Sequence, residues 1–167
     1  MEFSGKKVTV VGTGISGIGA VGLLNAVGAE VVLYDGNEKL KIEDIEKKLG
    51  TYKAEIVLGE LTKELTDSSD LLVISPGVPI DSPVVKAFEA AGVPVWGEVE
   101  LAYAFDKGKV LAITGTNGKT TTTALVGQIV GAYHKDTFVV GNIGNPYTTE
   151  VLKSNKDSYT VAEISSF

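Results

Sequence analysis

No cysteine occurs in the 167 residues, so no disulfide framework holds this chain and no thiolate chemistry is open to it. Histidine and tryptophan occur once each, as His134 and Trp96. Long apolar runs are missing too. None approaches the roughly 18 residues that span a bilayer, and the opening "MEFSGKKVTVVG" enters a strand pattern without the apolar stretch of a signal peptide. Basic charge is short: 15 Lys and Arg against 21 Asp and Glu leave a net charge of -6, with no long block of one sign. That argues against nucleic acid, whose affinity comes from a basic face that neutralises phosphates. A small anion stays open, because backbone N–H groups bind one locally whatever the global charge. A folded, soluble, cytoplasmic protein is the expectation, with neither nucleic acid nor membrane as partner.

What is present is apolar surface enough for a core, 44% of residues against 22% charged. "KKVTVVGTG" is a β-branched run that ends in glycines. Ile18, Val21 and Leu24 then recur at near-helical spacing from Ile15 to Val27, Gly28 closes the helix, and "AEVVLYD" is a second strand ending at Asp35. Strand, helix, strand makes a βαβ unit. The strands "AEIVLG", "DLLVISPG" and "GVPVWG", a helix from Pro83 to Ala91 and the helical "EVELAYAF" extend it. This is the order of an open parallel sheet with helices on both faces. The polar, glycine-containing "FDKGK", Phe105 to Lys109, marks a break. A new unit then begins with strand "VLAIT", a glycine loop, a helix from Lys119 to Val130, and strands "TFVVG" and "SYTVAEIS". The fold class predicted is α/β: a Rossmann-like parallel-sheet domain over residues 1–107, followed over 108–167 by the first, incomplete part of a P-loop ATPase domain. Three strands and two helices are too few to cover a doubly wound sheet, so a longer protein is expected.

Two glycine loops carry the chemistry. Gly12, Gly14 and Gly17 in "GTGISG" fit G-x-G-x-x-G between a strand and a helix, with Asp35 18 residues beyond Gly17. Such a turn lets a backbone approach closely, the helix N-terminus offers N–H groups to a diphosphate, and the acid can hold a ribose or base. Which nucleotide binds is open, NAD among them, and glycines that only make the turn would look the same.

The second loop is "GTNGKT", with Gly115, Gly118, Lys119 and Thr120. A phosphate loop needs amides curled around phosphate oxygens, a lysine on the outer phosphates and a hydroxyl on magnesium. The strict G-x-x-x-x-G-K-[ST] fails, since Ile113 stands five before Gly118. Glu163 ends an apolar strand and is either a solvated strand end or a magnesium ligand beside the loop hydroxyl. "ISPGVP" ends a strand at the edge where such folds bind ligands, though turn chemistry explains its Pro and Gly. Asn142 in "GNIGNP" touches substrate or caps a turn. His134 is expected to be a solvated residue at a helix end.

Taken in order, "GTGISG", "SPGVP", "TGTNGKTTTT", "GNIG" and "AEISSF" resemble the Mur ligases of bacterial cell-wall synthesis, from about Lys6 to the last residue. The resemblance is nearest to the branch that joins D-glutamate to UDP-N-acetylmuramoyl-L-alanine; the L-alanine-adding branch usually has histidine where Asn117 stands. It implies that the first domain binds the UDP part of the substrate through Gly14, Ile15, Ser16, Gly17, Asp35 and Gly77. It implies an ATP loop of Gly115, Thr116, Asn117, Gly118, Lys119, Thr120 and Thr121, with Thr120 and Glu163 on Mg2+ and Asn142 near the reacting end of the substrate. In the family, ATP turns a substrate carboxylate into an acyl phosphate that the amine of D-glutamate attacks, and Lys119 and Glu163 would be the residues on the reaction path. Gly36 departs from relatives that carry a hydroxyl residue there for the uracil. The family's later catalytic histidine, modified lysine and amino-acid domain lie past Phe167, so this polypeptide alone is not expected to ligate. Two rival readings are an NAD-binding oxidoreductase or sensor, which leaves Lys119 and Glu163 without a role, and a binding module that uses ATP as a switch.

Overall fold

The computed structural model of the chain describes residues 3–142 and 144–164, in two units, Met1–Leu101 and Ala102–Phe167. In the first, strand β1 (Lys7–Val11) leads into helix α1 (Ile15–Ala26) and β2 (Glu30–Asp35). Then follow α2 (Ile42–Leu49), β3 (Glu55–Leu58), α3 (Lys63–Ser68), β4 (Leu71–Ile74), α4 (Pro83–Ala90), β5 (Val95–Gly97) and α5 (Glu98–Tyr103). The strands form one sheet in the order β3-β2-β1-β4-β5, all parallel. A parallel sheet covered on both faces needs strands that are apolar on both sides. β1 and β4 meet this with Val8, Val10, Leu72 and Val73, all essentially buried. Thr9 is the polar exception in β1, and its hydroxyl pairs with that of Ser69 at 2.8 Å.

α1 is apolar nearly all round and buries Val21, Leu23 and Leu24. It stops where Gly28, at φ +80°, lets the Gly28 amide reach the Asn25 carbonyl and the Ala29 amide reach the Leu24 carbonyl, the paired bonds that satisfy the last carbonyls of a helix. Its start is fixed by packing. A Cβ at Gly17 would be driven into the Gly12 carbonyl, and a backbone oxygen cannot swing away as a side chain can. Gly17→Ala is therefore expected to cost about 2–4 kcal/mol, read as a lowered midpoint in urea unfolding.

In the second unit, β6 (Lys109–Ile113) and α6 (Lys119–Tyr133) are followed by β7 (Thr137–Gly141), the short α7 (Tyr147–Glu150), a 3-10 turn (Val151–Lys153) and β8 (Tyr159–Glu163). The order is β6-β8-β7, again parallel, so the last strand inserts between the first two. One register row holds Ile113, Glu163 and Gly141 side by side. The polar stretch 105–109 is a clasp on this unit. Asp106 accepts 2.7 Å bonds from the Tyr147 and Thr160 hydroxyls and a 2.8 Å bond from the Gly108 amide. Burial first, and then Asp106, keeps the Tyr147 phenol protonated far above its ordinary range. Leu125, Ile129 and Tyr133, four apart along α6, stay exposed, as does Leu111 of β6.

Candidate functional site

Each sheet brings its glycine loop to the C-terminal ends of its strands, where open α/β sheets bind ligands. In the first unit the chain leaves β1 toward β2 and β3 on one side and returns to β4 and β5 on the other. The crevice of such a sheet lies between β1 and β4, and "GTGISG" follows the one while "SPGVP" follows the other. Among the described residues the amides of Ile15, Ser16 and Gly17 have no backbone acceptor; the first helical bond runs from Ile18 to Gly14. Gly14 caps α1 at φ -78°, which any residue adopts, and a Cβ there would meet nothing within 4 Å. Neither strain nor packing within the chain asks for glycine at this position.

Asp35 is engaged with this loop. Its Oδ2 accepts from the Thr13 amide at 3.2 Å and the Thr13 hydroxyl at 2.9 Å, and its Oδ1 accepts from the Asn37 amide at 3.1 Å. Thr13, which sequence reasoning passed over, thus ties the end of β2 to the glycine turn. Ser75 was also missed: its Oγ is buried with no partner among the described residues, under Gly12 and Gly17 where a Cβ would stand. Ile15 projects from the loop, 80% exposed, with Ser16 half-buried beside it and Gly77 exposed beyond β4.

In the second unit, Gly115 through Gly118 join β6 to α6, with Gly118 left-handed at φ +75° as the cap of α6. Among the described residues, no amide from Thr116 to Thr121 donates to a backbone carbonyl, and the helical bonds begin with Thr122 to Gly118. Lys119 folds back over the loop and its Nζ donates to the Gly115 carbonyl at 2.7 Å. Thr120 Oγ1 donates to Glu163 Oε1 at 3.3 Å. Glu163 is 4% exposed, and its other oxygen, Oε2, is buried with no partner among the described residues. A carboxylate oxygen held dry and unbonded is costly, which fits a group that receives a cation. Among the described residues no cluster of three or more acidic, His or Cys side chains exists. A cation here would have one carboxylate, one hydroxyl and otherwise ligand or water oxygens, a set that suits magnesium.

Of the remaining candidates, Thr121 is exposed on the first turn of α6, and Asn142 directly follows Gly141, the last residue of β7, which is the register partner of Glu163. His134 is exposed at the other end of the unit, stacked at 4.1 Å on Tyr159, the first residue of β8. Ile143 of "GNIG" and Ser165, Ser166 and Phe167 of "AEISSF" lie outside the described residues. No helix among the described residues is long and apolar enough to cross a membrane.

Comparison with known proteins follows the same division. The family profile described as Mur ligase MurD-like, N-terminal domain, matches residues 6–97, and that of the Mur ligase middle domain matches residues 113–167. The UDP-N-acetylmuramoylalanine--D-glutamate ligase of Lachnospira eligens is 69% identical over 167 residues, and that of Lachnoclostridium phytofermentans 57% over 168. Each match takes in all of this chain and 37% of the relative, so the chain spans little more than a third of those proteins. Among solved structures, the UDP-N-acetylmuramate:L-alanyl-gamma-D-glutamyl-meso-diaminopimelate ligase from Neisseria meningitides matches 96% of the chain and 52% of its own, with TM-score 0.56 and 20% identity. The UDP-N-acetylmuramate-alanine ligase from Thermotoga maritima matches 95% of the chain and 37% of its own, with TM-score 0.53 and 23% identity. At those identities the two show the α/β fold alone.

Proposed function

The chain belongs to the Mur ligase family, and from that premise we propose that it works in a cytoplasmic, ATP-dependent amide ligase that adds D-glutamate to UDP-N-acetylmuramoyl-L-alanine. The observation that carries the reading is the meeting, at one sheet edge, of the unbonded amides 116–121, the Lys119 ammonium and the Thr120–Glu163 pair. These are the parts that phosphoryl transfer needs, because its catalysis is positioning and charge stabilisation with little covalent work for the protein.

In this reading the 115–121 loop cradles the triphosphate of ATP and Lys119 neutralises the phosphoryl group as it passes to the substrate carboxylate. ADP leaves in that step, and the amine of D-glutamate then attacks the acyl phosphate and expels inorganic phosphate. Thr120 and Glu163 would hold Mg2+, which when bound supplies positive charge to the polyphosphate. Asn142 would orient the reacting end of the muramoyl substrate. The first unit would seat the UDP moiety, with its diphosphate on the amides of Ile15 to Gly17, Gly14 giving clearance, and Asp35 and Gly77 beside it.

Ligand-dependent thermal stability tests the first unit. A UDP-muramoyl compound at about 100 times its Kd should add about 2.7 kcal/mol, seen as a raised midpoint or a change in Trp96 fluorescence, and NADH should add nothing. Gly14→Ala should leave the ligand-free midpoint within about 1 kcal/mol of wild type and erase most of the shift. Stabilisation by NADH with none by the UDP compound would reverse the assignment.

A further inference from the structure

Among the described residues, four buried side-chain polar atoms have no hydrogen-bond partner, and Glu163 Oε2 is one of them. A second is the hydroxyl of Thr123, a residue of α6 with 0% exposure. The proposed reaction gives Thr123 no work. A threonine inside a helix commonly returns its hydroxyl to a carbonyl one turn back, as Thr66 does in α3 with a 2.8 Å bond to the Lys63 carbonyl. Thr123 makes no such bond.

Its place is bracketed by its neighbours on the same face of α6, three residues before it and four after. On the one side Thr120 donates to Glu163. On the other, Gly127 lies so close to β7 that a Cβ there would run into the Val139 side chain. Val139 pairs with Val161, and Gly141 with Glu163. Side chains two apart on a strand share a face, so Val139, Val161 and Glu163 all point toward α6. Thr123 is thus held against the sheet inward of the Glu163 carboxylate. A donor and an acceptor, each costly to leave dry and unbonded, occupy one buried layer.

We propose that Thr123 is a positioning residue for the cation site: its hydroxyl donates to Glu163 Oε2 when the site is loaded, fixing the carboxylate plane from inside as Thr120 does from the loop. The inference rests on the phosphate-loop reading above. The terminal torsion of a glutamate is soft, so the carboxylate can turn to this donor without moving β8. Groups that orient a metal ligand from behind typically govern metal affinity by about 10–100-fold when removed.

The test titrates Mg2+ into the intact protein at fixed ADP and compares it with binding of metal-free ADP. Thr123→Val keeps the shape and loses the hydroxyl. It should raise the Mg2+ concentration for half-maximal ADP binding about tenfold, with metal-free ADP affinity unchanged. Its melting temperature in chelator should not fall below that of wild type, because the group removed is a buried hydroxyl without a partner. Thr123→Ser keeps the donor and should restore the wild-type titration. Thr123→Ala removes the same hydroxyl in a good helix former and decides the matter if the valine variant does not fold. Wild-type Mg2+ dependence in the variants without the hydroxyl would overturn the proposal, as would a loss in Thr123→Ser equal to that in Thr123→Val. A lowered melting temperature with ADP binding weakened equally in the presence and absence of Mg2+ would also overturn it, since that is the mark of a merely structural residue. Absence of any magnesium-dependent ADP binding in the wild type would instead remove the phosphate-loop reading, and this inference with it.

Discussion

Replacing Lys119 by alanine is expected to abolish ligation in the intact enzyme, lowering turnover by about a thousandfold, while affinity for the UDP-muramoyl substrate stays within a few-fold. The ammonium has its only described partner in the Gly115 carbonyl of its own loop. A neutral carbonyl is a weak competitor for a lysine when a polyphosphate enters, since charge-assisted bonds are roughly twice as strong. The amides of 116 to 121 gain partners in the same step. Because α6 begins at this residue and alanine is a good helix former, the variant should fold. Lys119→Arg should not rescue it, for a planar fork cannot take the place of a compact point charge in a tight loop. Phosphate release on adding both substrates reports the chemistry, and calorimetric titration of the UDP compound reports the binding. Near-normal turnover in the alanine variant would end the assignment of the loop.

Much of this arrangement is legible in the sequence, for reasons that particular residues make plain. Both glycine loops stand where a β-branched run gives way to helical spacing, and glycines at that junction can be located without knowing any tertiary contact. Glu163 was legible as a strand-end acid in the same unit as the second glycine loop, either solvated or a metal ligand. Its burial was not, because that depends on β8 entering between β6 and β7, a choice of strand order that no local pattern encodes. Asp106 shows the same limit from the other side. It lies in a polar stretch that composition marks as a connection, yet its partners Tyr147 and Thr160 are 41 and 54 residues away. Two short helices of the first unit went unread although their signals are present. α2 repeats Ile42, Ile45 and Leu49 with acids in its first turn and lysines in its last, and α3 starts from the Thr62 hydroxyl accepting the Leu65 amide.

Glu163→Gln separates function from stability in opposite directions. In the ligand-free protein the glutamate has one oxygen on Thr120 at 3.3 Å and the other buried with no partner among the described residues, a costly placement for a carboxylate. Glutamine has nearly the same shape, keeps an acceptor for the Thr120 hydroxyl and needs no counter-charge. Metal-free stability should therefore rise by about 1 kcal/mol, seen as a higher melting temperature in the presence of chelator. With magnesium the order should invert. An amide oxygen is a far poorer ligand than a carboxylate for a hard dication, so the stabilisation that Mg2+ and nucleotide together give the wild type should be lost, along with at least about a hundredfold of turnover. Strain kept at a site because function needs it behaves in this way. A glutamine variant less stable than wild type without metal, yet equally stabilised by MgADP, would mean that Glu163 is a structural residue and that the cation, if one binds, sits elsewhere.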